Sequence, residues 1–499
     1  MVQQRTLNEM LRSSVYKYSD ETAIIYKDTK LSYQDLQDKV SRFSQGLISL
    51  GLRPNDKIAI MLSNCPEFFI SFFAVARIGA IIVPLNIHFK ENEIELYISD
   101  FRVKAIITDG SKVPLCKKIM AKRDMNIVLI TRNKIDGVQS LGQIVEENQP
   151  IQEEFNIENK QDVMYQFSSG STGNSKRIAR THYNLVREAE NLTETVGLSN
   201  KDKVLSVVPL FHTYGLGNCL LAPVYAGGRI VILEEFRPRV VIGILQKEAI
   251  TYFPAVPFMY GILAETLLDK EEVFSSLRLC ISAGAPLPRT IFEKFHDKYH
   301  IYIRQQYGST EMGAVAINID QNISDLADSV GLPLRNVEVE IFNEDGHKIK
   351  DGNIGEIAVK SPAMTKEYFD SEALTKKCFK DGYFFTGDLG KKDGKGHLYI
   401  TGRQKIFINT ATHKVDPTEI ENHLSTHPKI SEVVVVGVRS QYGDEIVKAV
   451  IVPRSDCEEE EIINHCIGKI ADFKLPRIIE FRKEIPRSPL GKVLKKYLC

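Results

Sequence analysis

Residues 57–85 read KIAIMLSNCPEFFISFFAVARIGAIIVPL, and this succession decides the fold. KIAIML (57–62) and AIIVPL (80–85) are short continuous apolar runs, as strands covered on both faces require. Between them, PEFFISFFAVARIGA carries apolar residues at three-four spacing and predicts a helix closed by Gly79. The same texture recurs outward. KAIITD (104–109), NIVLITR (126–132), KVLSVVPL (203–210) and GRIVILEE (228–235) read as strands, and SYQDLQDKVSRFSQGLISL as a helix followed by Gly51. Alternation of this kind predicts layered α/β architecture with parallel sheet.

After about residue 330 the texture changes. VEVEIFNEDGHKIKDGNIGEIAVKS and GYFFTGDLGKKDGKGHLYITGR are short strands broken by DG and KDG turns, predicting antiparallel hairpins or a small barrel-like part. The tail returns to an α+β pattern. It has a helix at 417–426, VVVVGV (433–438), KAVIV (448–452) and a helix from about 458. The expected organisation is a large N-terminal domain over 1–403, with its β-rich part at about 330–403, and a small domain over 404–499.

A chain of 499 residues exceeds one simple domain at about 150 residues each and can bury large cores. Lys+Arg and Asp+Glu are both 64, so no net field favours nucleic acid or an anionic membrane. The eight cysteines form no CxxC pair, which argues against a zinc framework or a disulfide scaffold. The opening MVQQRTLNEMLRSSVYKYSDE has no signal-peptide core. Phe68–Ala76 is far too short to span a bilayer. A cytoplasmic protein without a transmembrane segment is expected.

Four stretches offer chemistry. In 168-SSGSTGNSKR-177, Ser168, Ser169, Gly170, Ser171, Thr172 and Gly173 permit exposed N–H groups and close approach to a phosphate, and Lys176 adds a cation. This is not a Walker A loop, because Ser175 precedes the lysine and Arg177 follows it. A plain structural loop is the alternative. In 306-QYGSTEMG-313, Tyr307 offers a flat face to a base beside the turn glycine Gly308. Thr310 can contact a ligand, and Glu311 can hold a divalent cation; an ordinary turn has the same composition. In 385-FTGDLG-390, Asp388 suits sugar hydroxyls, or the segment is a hairpin turn. Arg403 suits phosphate or ribose, or is a surface arginine. In 209-PLFHTYGLG-217, His212 is either functional or simply packed.

Together SSGSTGNSK, PLFHTYG, SAGAPLP (282–288), QYGSTE, FTGD, GRQK with VDPTEIE (415–421), and PRSPLGKVLKK resemble the adenylate-forming superfamily. That superfamily includes acyl-CoA synthetases, nonribosomal-peptide adenylation domains and beetle luciferase. The resemblance runs over essentially the whole chain. It implies a mobile C-terminal domain hinged at Lys405, ATP and Mg2+ as ligands, and a carboxylic acid as substrate. The glycine-serine loop would close over the β- and γ-phosphates. Gly284, Ala285 and Pro286 would line the adenine side, with Tyr307 against the ring. Thr310 would meet the α-phosphate or the carboxylate, Glu311 would place magnesium, and Asp388 and Arg403 would hold the ribose. Lys492 would stabilise charge as pyrophosphate leaves.

The acid is expected to be hydrophobic. Amino-acid-activating members of that superfamily present an aspartate to the substrate ammonium from the region around the FH motif. Here 207–228 and 251–264, the second another expected pocket wall, contain no acidic residue, so the resemblance disfavours an amino acid. His212, Tyr214, Leu216, Phe258 and Met259 are the pocket candidates, with ordinary hydrophobic core as the alternative for each of the last four. The acceptor is expected to be the thiol of CoA, with the phosphopantetheine of a separate acyl carrier protein as the alternative. Aryl-acid activation, transfer to an amine and a non-catalytic scaffold complete the range. The chain departs from the family pattern in GRQKIFINTATHKVDPTEIE. Ile406 stands for aspartate, Asn409 for lysine, and Thr412 for the glycine along the acceptor channel. A branched Cβ fills space that glycine leaves open.

Overall fold

The computed structural model describes residues 5–123, 125–167, 176–267, 274–369, 371–403, 408–410, 413–415, 417–439, 445–470, 472–487 and 493–498. The described residues separate into two compact units, the first using 5–167, 176–339 and 359–384, the second using 340–358 and those from 385 onward.

Two sheets build the first unit. In the seven-stranded sheet the order is Gln139–Ser140, Val128–Thr131, Val103–Thr108, Lys57–Met61, Ile81–Pro84, Asp162–Phe167 and Arg177–Thr181. All neighbours are parallel except the last pair. The apolar runs are continuous because both faces are covered. Ile58 and Ile60 enter one core with Ile82 and Ile107, while Ala59 and Met61 enter another with Ile81, Val83 and Ile106.

The nine-stranded sheet runs Leu332–Pro333, Gly313–Ile317, Ile303–Ser309, Leu279–Ser282, Tyr252–Ala255, Lys203–Ser206, Arg229–Ile232, Thr22–Tyr26 and Thr29–Ser32. It is parallel from Ile303–Ser309 through Thr22–Tyr26 and antiparallel at its edges. The helices Tyr33–Ser49 and Pro66–Arg77 share the first core with both sheets. The second of these is buried all round, from Phe68 to Ala76, rather than along one stripe. A helix packed on every side has no polar face to show. Among the described residues no helix is long and apolar enough to cross a membrane.

Helix His182–Val196 starts on a capping box in which the Thr181 hydroxyl accepts from the Asn184 N–H. His182 Nδ1 accepts the Leu7 N–H at 3.3 Å, and burial pushes the imidazole down to about 4. The folded chain keeps this ring neutral where the unfolded chain would protonate it. Its contribution is complete above about pH 6.5 and is lost as pH falls towards 4, by up to about 3 kcal/mol. Urea unfolding at about pH 7.5 and about pH 5 should show the loss. The slope should flatten in His182→Asn, whose side-chain oxygen can still accept from Leu7. An unchanged slope in that variant would refute the assignment.

The β-rich stretch comprises Glu338–Phe342, Gly355–Lys360, Phe379–Lys380, Tyr383–Lys392 and Leu398–Arg403. Within the second unit, residues 388–392 pair antiparallel with Leu398–Arg403, placing Asp388 opposite Arg403. The α+β tail pairs Ile430–Arg439 with Glu445–Pro453 antiparallel, and Ile478–Phe481 joins in parallel. Its valine run is again read on two faces. Val433 and Val435 pack with Ile420, Leu424 and Ile462, whereas Val434 and Val436 meet Val450, Ile485 and Leu498. Helices Pro417–Leu424 and Glu459–Cys466 begin close to their expected positions.

Candidate active site

The parallel strands of the nine-stranded sheet end side by side, and several of the candidate residues lie at or beyond their carboxyl ends. Ser282 pairs with Gln305, so the exposed segment Gly284–Pro286 leaves its strand next to the one carrying Tyr307. The strand Lys203–Ser206 leads to His212, and Tyr252–Ala255 leads to Phe258 and Met259. Crevices outside strand carboxyl ends are where open α/β sheets bind ligands.

The turn bearing Thr310 and Glu311 is shaped by two glycines. A Cβ on Gly308 would fall 2.3 Å from the Gly313 carbonyl oxygen, and Gly313 adopts φ +69°. This lets the hairpin between Ile303–Ser309 and Gly313–Ile317 close tightly. Ser309 Oγ donates to Glu311 Oε2 at 2.8 Å and accepts the Glu311 N–H at 3.2 Å. On the other oxygen, the Tyr368 hydroxyl donates to Oε1 at 3.1 Å. Lys176 Nζ in turn donates to the Tyr368 hydroxyl at 3.2 Å. The structure thus brings two of the candidates, Lys176 and Glu311, onto one tyrosine.

Behind this turn lies a buried ion pair. Arg180 is fully buried and donates to Glu188 Oε2 at 2.8 Å, to the Ala363 carbonyl at 2.8 Å and to the Thr310 carbonyl at 3.5 Å. A Cβ on Gly217 or Gly313 would come within 2.6 Å of the Glu188 carboxyl group, so both glycines leave room for it. Sequence reading missed Tyr368, Ser309, Arg180 and Glu188. Ser309 alone stood inside a motif; the others occupy unremarkable stretches.

His212 is half-buried, and its Nδ1 accepts the Tyr214 N–H at 3.3 Å, capping the short helical segment that follows. The Tyr214 hydroxyl lies 2.7 Å from the Ile281 carbonyl and 3.1 Å from that of Ala255, tying that segment to two strand ends. Burial raises its pKa well above the usual tyrosine value, so it serves there as a neutral donor. Leu216 and Met259 are buried in the main core, while Phe258 is 48% exposed and meets Phe236 edge-on. In the second unit Asp388 is buried, and its N–H donates to Thr386 Oγ1 at 3.0 Å. FTGD therefore sits inside a strand and not at a hairpin turn. Ser168, Ser169, Gly170, Ser171, Thr172, Gly173, Lys405, Ile406, Thr412 and Lys492 lie outside the described residues, as does the Arg403 side chain.

Among the described residues no group of three or more His, Cys, Asp or Glu could hold a metal. Glu311 alone still fits magnesium, which takes one or two carboxylates and completes its shell with water and substrate phosphates.

Residues 11–369 match the AMP-binding enzyme family, and residues 419–492 match the AMP-binding enzyme C-terminal domain. The chain belongs to the AMP-binding enzyme family. A long-chain-fatty-acid–CoA ligase of Bacillus subtilis (strain 168) is 29% identical over 527 residues, covering 99% of this chain and 94% of that protein. A feruloyl-CoA synthase of Amycolatopsis sp is 28% identical over 477 residues, covering 95% and 94%. Among solved structures, ATP-bound MatB from Rhodopseudomonas palustris matches with a TM-score of 0.90 at 27% identity, over 98% of each chain. As a family member the chain is an AMP-forming ligase that makes acyl adenylates from ATP and a carboxylic acid.

Proposed function

We propose that this ligase activates a hydrophobic, fatty-acid-like acid and transfers the acyl group to the thiol of CoA. One observation carries the choice of acid. The Glu188 carboxylate, which does approach Gly217 in the segment after His212, is committed to Arg180 at 2.8 Å. The stretches 207–228 and 251–264 themselves include no Asp or Glu. A substrate ammonium would therefore be desolvated without a partner, whereas an alkyl or aryl tail would not. The B. subtilis and Amycolatopsis relatives, named for long-chain fatty acids and feruloyl-CoA, support a hydrophobic acid.

In the reaction a carboxylate oxygen attacks the α-phosphorus of ATP, the bond to pyrophosphate breaks, and an acyl adenylate forms. A thiolate then attacks the acyl carbon and AMP leaves. We assign phosphate contacts to the loop 168–173 and Lys176. Adenine and ribose contacts fall to Gly284–Pro286, Tyr307, Gly308, Asp388 and Arg403. Thr310, His212 and Lys492 are assigned to the reacting acid and α-phosphate, with Lys405 as the hinge. Magnesium held by Glu311 would offset phosphate charge.

The second acceptor is the phosphopantetheine of a carrier protein, which needs no pocket for the CoA nucleotide, although its arm meets Thr412 just as that of CoA does. A panel of acids with ATP and magnesium, followed for pyrophosphate release and then challenged separately with CoA and with loaded carrier, tests both. CoA thioester without carrier acylation is expected. Carrier acylation with a flat CoA response would reverse the order. If Thr412 narrows the thiol route, Thr412→Gly should raise CoA-dependent turnover about tenfold, a barrier change of ~1.4 kcal/mol. Acyl-adenylate formation should stay nearly constant, and equal turnover by both forms would dismiss the obstruction.

A further inference from the structure

We infer that the Tyr368 hydroxyl is a positioning group for adenylation, aiming the Glu311 carboxylate at magnesium while holding Lys176 apart from it until nucleotide phosphates bind. This rests on the roles proposed above for Glu311 and Lys176.

The ring has little freedom. Tyr368 is 4% exposed, and its ring meets Phe379 edge-on with centroids 5.7 Å apart. Its backbone N–H donates to Thr375 Oγ1 at 3.0 Å. The hydroxyl position is therefore set by packing. It donates to Glu311 Oε1 and accepts from Lys176 Nζ, and the ammonium also lies 4.6 Å from the centre of the tyrosine ring. With Ser309 on Oε2, each carboxylate oxygen receives one neutral donor, which fixes the carboxylate plane and leaves lone pairs for a cation.

A direct Lys176–Glu311 contact would be a charge-assisted pair, stronger than either hydroxyl bond. Such a pair would occupy both the anion intended for the metal and the cation intended for phosphate. The intervening hydroxyl prevents this. It satisfies both charges with bonds that a doubly charged metal and a polyphosphate can replace. Partners of metal ligands commonly change metal affinity 10- to 100-fold when removed.

The test is ATP binding by titration calorimetry across a magnesium series, with no acid present. In Tyr368→Phe, which keeps the packed ring, the magnesium concentration giving half-maximal ATP binding should rise about tenfold. Melting temperature should stay close to that of the wild type. In Tyr368→Phe/Lys176→Met no ammonium remains to collapse onto Glu311. The magnesium midpoint should then return towards the wild-type value even though ATP binds more weakly. A midpoint unmoved in Tyr368→Phe would overturn the proposal, and so would a double variant as magnesium-hungry as the single one. Neither outcome touches the choice of acid or acceptor, which this measurement does not involve.

Discussion

Glu311→Gln should lower acid-dependent exchange of labelled pyrophosphate into ATP by about 10²–10³-fold, because a cation-binding anion in the adenylation site becomes a neutral amide. The substitution conserves shape. Glu311 takes a hydrogen bond from Ser309 on one oxygen and from Tyr368 on the other, and both donors are hydroxyls that can rotate to accept from an amide. The Glu311 carbonyl also keeps its bond from the Thr365 N–H at 2.8 Å. Stability should therefore change by no more than about 1 kcal/mol. The loss should shrink as magnesium is raised, since a weakened site can be partly refilled by mass action. Exchange within threefold of wild type at low magnesium would remove Glu311 from the metal role.

Arg180→Met should destabilise the first unit by about 3–5 kcal/mol, the usual cost of stranding one partner of a buried ion pair. Arg180 is fully buried and Glu188 is 3% exposed, so solvent does little to screen the charge left behind. The same arginine holds the Ala363 carbonyl and reaches the Thr310 carbonyl, so its loss also frees two acceptors beside the Glu311 turn. Arg180→Met/Glu188→Leu removes both charges and should recover much of the stability, giving a coupling of at least about 1 kcal/mol in the double-mutant cycle. Urea unfolding of the four forms measures it. A single variant within about 1 kcal/mol of wild type would mean that the pair is more solvated than its burial indicates.

The strands at 57–62, 80–85 and 203–210 were legible because two-faced burial demands unbroken apolar runs, although several end earlier than the runs do. KVLSVVPL, for example, yields a strand only over Lys203–Ser206. The helix 66–77 was found by the three-four spacing of its apolar residues, but its burial on all sides was not, since a spacing rule cannot tell one covered face from two. Asp388 was recognised as chemically apt while its setting in a strand rather than a turn was left open, because glycine beside aspartate serves either.

Residue types and their order along the chain sufficed to determine the layered α/β plan and the return to an α+β tail, since those depend on patterns within short windows. The adenylate-forming chemistry came instead from the resemblance of several separated motifs to a known superfamily. What meets across the fold was settled only by tertiary structure. Tyr368 lies 57 residues from Glu311 in the chain, yet its hydroxyl reaches that carboxylate. Glu188 sits in the helix His182–Val196, which no motif singled out, yet it is buried against Arg180. Such contacts depend on how sheets and helices stack, and the energy that fixes them, an ion pair or a hydroxyl bond shielded from water, does not exist until the surrounding core has closed.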